Sequence, residues 1–401
     1  MNRPVSPGVG SATPTIIAAL AMLWLAGIAS RVTILAVPPV IPLIHTDLHM
    51  TETQVGILIG LPLVMFALAA IPGSLLIARL GATFTITIGM FVTAIAAAAR
   101  GSASSIMLLY AATMAMGFGV AIMQPALPTL ARQWTPNHIG LATAASTNGM
   151  MVAIAAASAL TIPFVLPLVG GSWRLEFVVW AAPALATALV FLAFASRLPA
   201  HASSDSAAPR RWWPDWKNPV VWLLGFTFGS NNASYYSLNA FAPDYLTSTG
   251  RADLIGPTLA WLNICQLLAS IVLLGTAQRL QRRSWPYLIF GPLVLIGTLG
   301  VVLADGYWLV AAAGLAGFSL SMTFVVTMSL PPVLSPPDDI HRMAGGMFTI
   351  SYTVAVIIPI VCGALWDITG VPWTAFLPIA LCVVTLTTLG FFLSLRQPAA
   401  T

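Results

Sequence analysis

Charged residues are scarce in this sequence of 401 residues. Asp, Glu, Lys and Arg together make up 7 % of it, whereas hydrophobic residues make up 58 %. The mean hydropathy is +0.92. Because an ordinary soluble protein carries about 25 % charged residues, this composition excludes a soluble globular fold.

Cysteine is also rare. The three cysteines, Cys265, Cys362 and Cys382, each lie alone inside an apolar segment. They lack the spacing of a disulfide framework or of a metal-binding motif. We therefore interpret them as small core residues.

Sequence patterns of an enzyme or of a nucleic-acid-binding protein are missing as well. We recognise no metal-ligand cluster, no nucleophile beside a base and no glycine-rich phosphate loop. The net charge is +5, but the basic residues are few and scattered along loops. We therefore predict no enzymatic activity, no cofactor, no metal and no nucleic-acid partner, and a membrane-embedded enzyme or sensor is the least favoured alternative.

Long apolar segments, in contrast, fill most of the chain. A membrane-spanning helix needs about 20 predominantly apolar residues, and twelve segments reach that length. They lie at about 15–44, 53–78, 82–99, 104–130, 139–165, 173–196, 218–247, 254–278, 285–304, 307–334, 342–366 and 372–395. The sequence predicts an all-α membrane protein with twelve transmembrane helices.

A polar stretch near the middle of the chain divides these spans into two sets of six. Features also recur at an offset of about 200 residues, since Pro42 near the end of the first span matches Pro243 near the end of the seventh. Many secondary transporters are built from such repeated units. We predict two pseudo-symmetric six-helix halves, residues 1–197 and 218–401, joined by a cytoplasmic linker at 198–217.

The basic residues are distributed unevenly between the two sides of this arrangement. With a cytoplasmic N-terminus, twelve of them fall on the cytoplasmic side and three, Arg100, Arg174 and Arg251, on the other. Cytoplasmic loops of membrane proteins are enriched in Lys and Arg. We therefore predict a multi-pass protein of the cell inner membrane, embedded in lipid, with both termini in the cytoplasm, and we expect a monomer.

Arg31 stands out because it lies about halfway along the first span. An arginine at the centre of a membrane helix costs about 2.5–3.5 kcal/mol on insertion scales and normally faces the bundle interior with a partner. The other spans carry no Asp or Glu at mid-depth. We therefore predict that Arg31 binds an anionic or electron-rich substrate; the alternative is a structural donor to helix-end carbonyls or to Gln and Asn side chains.

Further polar and aromatic residues lie on spans that would face the same cavity. If Pro42 is aligned with Pro243, Asn232 falls at the repeat position of Arg31. Each amide is equally well explained as a contact between helices, so the prediction applies to the set. The other candidate substrate-binding residues are Trp24, Gln124, Asn148, Asn231, Asn232, Tyr235, Tyr236, Asn263, Gln266 and Tyr352.

Asp, Glu and His are absent from the middle of the spans. Glu52, Glu176 and Asp244 fall at span ends, and His45 and the other histidines lie in loops or at span ends. Proton-coupled transporters usually carry such groups within the membrane. This pattern favours facilitated diffusion, exchange or coupling through the protonation of the substrate over a dedicated proton relay.

The loop after the second span resembles the signature of the major facilitator superfamily. It reads Ser74-Leu-Leu-Ile-Ala78-Arg79-Leu-Gly81 against the pattern Gly-x-x-x-Asp-Arg-x-Gly. Arg79 and Gly81 match, and the resemblance implies a conformational role for both. Ser74 and Ala78 replace the first Gly and the Asp.

Within that superfamily the chain resembles the cyanate and nitroimidazole transporter (CynX/NimT) family. The resemblance rests on Arg31, on the proline-rich segment from Pro38 to Pro42, and on the helix entry from Thr51 to Pro62. Similarity extends to the segment from Gly363 to Trp373. It implies passage of a small compound such as a cyanate-like anion or a nitroaromatic, with Arg31 as the residue carried over.

Together these features predict a secondary transporter that moves a small anionic or nitro-bearing solute by alternating access. The solute would be a cyanate-like anion, a small carboxylate or a nitroimidazole, bound centrally by Arg31, whose guanidinium suits planar acceptors. The alternative is an exporter of amphiphilic or nitroaromatic compounds that uses an aromatic cavity around Trp24, Tyr235 and Phe348.

Overall fold

The computed structural model describes residues 12–136, 138–195, 214–274, 280, 283–335 and 340–395. Twelve helices of at least 18 residues occur in these ranges, which agrees with the twelve predicted spans. They are α1 (Ala12–Leu35), α2 (Glu52–Leu80), α3 (Ala82–Arg100), α4 (Ile106–Met123), α5 (Ile139–Leu160), α6 (Trp173–Phe194), α7 (Pro219–Ser248), α8 (Ile255–Leu274), α9 (Trp285–Leu303), α10 (Gly306–Met328), α11 (Ile340–Thr369) and α12 (Leu377–Leu395). The linker predicted at 198–217 lies largely outside the described residues.

Ten of the described helical segments are long and apolar enough to cross a membrane. The other two long helices are α2, whose apolar part spans Glu52–Leu68, and α7, which carries the polar run from Ser230 to Asn239. Large apolar side chains such as Leu303 and Leu381 remain exposed on the helix surfaces. Helices with such surfaces satisfy their backbone groups internally and suit a lipid environment.

Local sequence explains where several helices begin and break. Thr51 caps α2 through a capping box with Gln54, and Ser105 and Ser172 cap α4 and α6. The first span is interrupted after α1, because Pro38 and Pro39 lack backbone N–H donors. It continues as a short 3₁₀ helix (Pro38–Val40) and a final helix (Ile41–Leu48).

The two halves pair their helices in the same way. In the first half α1 packs on α5 and α6, α4 packs on α2 and α3, and α3 packs on α6. In the second half α7 packs on α11 and α12, α10 packs on α8 and α9, and α9 packs on α12. Adding six to each helix number converts the first set into the second, so the fold is two pseudo-symmetric six-helix halves.

The most extensive helix contacts between the halves are α2 with α11 and α5 with α8. The first turns of α2 lie directly against the last turns of α11: Gly56 faces the backbone of Pro359, and Gly363 faces the backbone of Glu52. We name the side of the molecule that holds these turns the distal side, and the side of the chain ends the terminal side. The structure is closed between the halves on the distal side.

Candidate functional site

Arg31 lies in the last turns of α1 and is half-buried. Its guanidinium carbon is 5.4 Å from the centroid of the Phe66 ring on α2. Among the described residues Arg31 forms no ion pair with a carboxylate. A cation inside a helix bundle without a protein counter-ion is a suitable site for an anionic or electron-rich ligand.

Aromatic rings from both halves surround Arg31. Phe66 meets Tyr352 of α11 edge-on at 5.6 Å between centroids, and Tyr352 stacks on Phe348 at 5.8 Å. Tyr235 of α7 lies within electrostatic reach of Arg31, as does Tyr352. The predicted residues Arg31, Tyr235 and Tyr352 therefore lie close together where the two halves meet, and we refer to this region as the cleft. Phe66 lies there too and was missed by the sequence analysis.

A buried hydrogen-bond network adjoins this cleft. The Tyr235 hydroxyl donates to Oδ1 of Asn263 at 2.8 Å, and Nδ2 of Asn263 donates to the Ser158 hydroxyl of α5 at 2.9 Å. Nδ2 of Asn263 is also 3.1 Å from Oδ1 of Asn239. The network links α7 and α8 of the second half to α5 of the first, so Asn263 reaches the cleft through Tyr235. Tyr236 lies beside Tyr235, with 5.2 Å between ring centroids.

Other predicted residues hold helices together within one half. Asn231 donates to the Thr323 hydroxyl at 2.6 Å, and Asn232 donates to the Ser351 hydroxyl at 2.8 Å. Both asparagines are buried. In this structure Asn232 therefore makes a contact between helices, although it stands at the repeat position of Arg31.

Trp24 and Asn148 are bonded to each other, since Nε1 of the indole donates to Oδ1 of Asn148 at 2.9 Å. This bond joins α1 to α5 two turns away from Arg31. Gln124 follows the end of α4, and its buried Nε2 has no hydrogen-bond partner. Gln266 is buried one turn from Asn263, and its backbone carbonyl accepts a bond from Ser321.

The predicted conformational residues Arg79 and Gly81 lie at the junction of α2 and α3 on the terminal side. Arg79 is exposed in the last turn of α2. Gly81 has φ +82°, a left-handed conformation that favours glycine. The backbone conformation explains why residue 81 is a glycine. The conformational role of Arg79 stays a prediction.

On the distal side, four titratable residues join the two halves, and we name them the distal latch: His45, Glu52, Asp244 and Asp367. Nδ1 of His45 is 3.0 Å from Oδ2 of Asp244 on α7. Asp367 at the end of α11 accepts hydrogen bonds from the backbone N–H of Glu52 at 3.0 Å and of Thr53 at 2.8 Å, and from the Thr53 hydroxyl. The sequence placed these residues at span ends but gave no sign that they meet.

Buried charge also occurs in the first half where none was predicted. Arg100, which was assigned to a loop, and Glu176 are both 0 % exposed. Their positions at the ends of α3 and at the start of α6 gave the sequence analysis no indication of burial.

The sequence profile of the Major Facilitator Superfamily matches residues 23–305, which is more than half of the chain. The chain belongs to the Major Facilitator Superfamily. Its members are membrane transporters, so the chain is a multi-pass transporter and not an enzyme.

Two curated relatives are transporters of small compounds. The chain is 26 % identical over 381 residues to the cyanate transport protein CynX of Escherichia coli (strain K12), covering 92 % of this chain and 94 % of the relative. It is 28 % identical over 224 residues to the 2-nitroimidazole transporter of the same organism, covering 56 % of each chain. These matches agree with the family resemblance stated from the sequence.

A solved structure confirms the fold. The crystal structure of the nucleoside transporter NupG superimposes with a TM-score of 0.75, covering 94 % of this chain and 99 % of that chain at 14 % identity. At that identity the similarity concerns the fold. The cleft around Arg31 thus lies between the two halves of a transporter fold, where substrate sites of secondary transporters are found.

Proposed function

We propose that this protein moves a small anionic or nitro-bearing solute across the cell inner membrane by alternating access, with Arg31 as the central substrate-binding charge. The observation that carries the proposal is the position of Arg31 in the cleft between the halves, unpaired by any described carboxylate. A planar fork of N–H donors suits carboxylate, cyanate or nitro groups. The names of the two curated relatives, which concern cyanate and 2-nitroimidazole, support this substrate class.

The remaining predictions belong to the same proposal. Residues 1–197 and 218–401 would form the two moving halves, with both termini in the cytoplasm. The distal side, which is closed in this structure, would then face away from the cytoplasm. The distal latch would separate when the protein opens to that side.

Ligand binding to the purified protein tests the role of Arg31. Cyanate, nitrate, a small carboxylate and 2-nitroimidazole are added to wild type and to the Arg31→Gln and Arg31→Lys variants, and thermal stabilisation and affinity are measured. Loss of charge-assisted hydrogen bonds is expected to weaken anion binding about tenfold to a hundredfold in Arg31→Gln. Arg31→Lys is expected to restore part of it, because Lys keeps the charge but lacks the fork.

The matched control is Arg174→Gln. Arg174 is a more exposed arginine on the distal side that pairs with Asp47 inside the first half. It should leave anion affinity unchanged. Equal losses in Arg31→Gln and Arg174→Gln would contradict a specific role for Arg31.

A second candidate function is export of amphiphilic nitroaromatic compounds. The rings of Phe66, Phe348 and Tyr352 beside Arg31 favour it, because they form an apolar wall for a planar ligand. Binding of 2-nitroimidazole that survives Arg31→Gln but is lost in Tyr352→Ala would support this function over anion transport.

A further inference from the structure

Arg100, the last residue of α3, is a fully buried arginine. Its side chain is among the largest that the protein excludes from solvent, at 0 % exposure. Burying a guanidinium is costly unless its charge and its donors are compensated. We therefore identify which groups compensate the charge and the N–H donors of this side chain.

The protein satisfies only part of the guanidinium. Nη2 donates to the backbone carbonyl of Thr33 on α1 at 2.7 Å, and the Phe177 ring lies 4.3 Å from the guanidinium carbon. Nε and Nη1 have no hydrogen-bond partner among the residues that the structure describes. An arginine has five N–H donors, so most of the donors of Arg100 are unused.

Arg100 lines a small pocket between the two halves, part of which is open to solvent. Tyr236 and Asn239 of α7 form its wall on the side of the second half. Thr113 of α4 lines it too, and in the described part of the chain the buried Oγ1 of Thr113 also has no hydrogen-bond partner. Unused donors from two different helices thus meet at one pocket.

The rest of the lining is mainly apolar, and includes Ile34, Leu58 and Met116. Such walls do not solvate a multivalent ion or a ligand with many polar groups. They suit a ligand that is small, carries one negative charge and needs few hydrogen bonds. A planar or linear delocalised anion matches the guanidinium fork.

Glu176 of α6 affects the charge balance of this pocket. Its carboxyl group is 0 % exposed, and the Thr161 side chain lies close enough to interact with it. It forms no ion pair with Arg100 within 4.0 Å, although the two charges attract each other. Glu176 therefore leaves the donors of Arg100 free.

We propose that the pocket lined by Arg100 and Thr113 is a second anion-binding site, which takes a small inorganic monoanion of the size of cyanate, thiocyanate or nitrate. The anion accepts hydrogen bonds from the guanidinium and from the Thr113 hydroxyl. The choice of ligand class rests on the proposed function, whereas the site itself rests on the unused donors. Because Tyr236 and Asn239 come from the other half, bound anion also favours closure of the distal side.

Calorimetric titration of the detergent-purified protein with sodium thiocyanate and with sodium nitrate tests the proposal. Thr113→Val keeps the side-chain size and removes one donor, and it is expected to weaken binding at this site about five- to tenfold. Arg100→Gln is expected to abolish it.

The matched control is Thr93→Val. Thr93 lies on α3 and is also buried, with an Oγ1 that has no hydrogen-bond partner, but it does not line the pocket. Equal effects of Thr93→Val and Thr113→Val would overturn the second site. Comparison of Thr113→Val with Thr93→Val also tests the proposal if Arg100→Gln fails to fold, because both threonine variants preserve the packing.

Arg31→Gln separates this site from the cleft. Anion binding that survives Arg31→Gln and weakens in Thr113→Val supports the second site. If Arg31→Gln alone removes all anion binding, the second site is refuted and the proposed function stands. If wild type binds 2-nitroimidazole but neither anion, the second site is refuted in favour of the aromatic exporter.

Discussion

Replacing Asp367 by Asn is expected to open the distal side. The carboxylate of Asp367 caps the first turn of α2 from the opposite half, accepting hydrogen bonds from Glu52 N–H, from Thr53 N–H and from the Thr53 hydroxyl. Asn keeps one oxygen and places an NH₂ group where the other oxygen accepted bonds. The variant therefore loses bonds that exist only while the distal side is closed.

The size of the effect follows from those bonds. A hydrogen bond to a charged group contributes about 1.5–3 kcal/mol, and a negative charge at a helix N-terminus contributes about 0.3–1 kcal/mol. Asp367 is exposed, so water replaces part of what is lost and the lower end applies. A net loss of about 1.5 kcal/mol changes the ratio of closed to open molecules about tenfold.

Electron–electron distance measurements between two spin labels report this ratio. One label replaces Ser102 in the first half and the other replaces Tyr307 in the second; both residues are exposed on the distal side. In Asp367→Asn, the population with the longer distance should rise about tenfold relative to the closed population.

Asp305→Asn is the control for this measurement. Asp305 is an exposed carboxylate on the same side, but its partner Arg251 belongs to the same half. An unchanged distance distribution in Asp367→Asn, or the same change in Asp305→Asn, would refute the reasoning.

Further predictions concern the latch and the helix contacts. His45→Ala removes the contact with Asp244, 3.0 Å away in the other half, and should raise the open population about threefold to tenfold in the same distance measurement; an unchanged closed state would contradict a latch. Gly149→Ala should lower the free energy of unfolding by about 1–3 kcal/mol, because a methyl group there meets the backbone carbonyl of Trp24. The purified variant should therefore melt at a lower temperature than wild type. Gly345→Ala, whose nearest neighbour is 4.0 Å away, should melt like wild type, and equal melting of both variants would show that the contact between α1 and α5 is loose.

The helices were predictable because each span repeats one physical requirement, an apolar segment long enough to cross the bilayer. The break in the first span was visible as Pro38 and Pro39. The polar run of α7 lowers its hydropathy, but the segment at 218–247 was still long enough to be counted as a span. The pairing of helices needed the structure, because it arises from close contacts such as that of Gly149 with Trp24, 125 residues apart in sequence.

The site was predictable where a single residue broke the apolar pattern. Arg31 was found because a charge inside a span needs an explanation. Residues one helical turn apart, such as Asn231 and Tyr235, were not separable into helix contacts and cleft residues, since their role depends on what packs against them. Arg100 was missed because its burial depends on Thr33 and Phe177, which lie on other helices.

At the contact between the first turns of α2 and the last turns of α11, adding one methyl group to a glycine is enough to disfavour the closed conformation. Gly363 leaves no room for a Cβ atom, because such an atom would meet the backbone carbonyl of Glu52. That clash exists while the distal side is closed and disappears when the helices separate. A methyl group at this position destabilises the closed state by steric clash. Gly363→Ala is therefore a practical way to trap the state open to the distal side for structure determination.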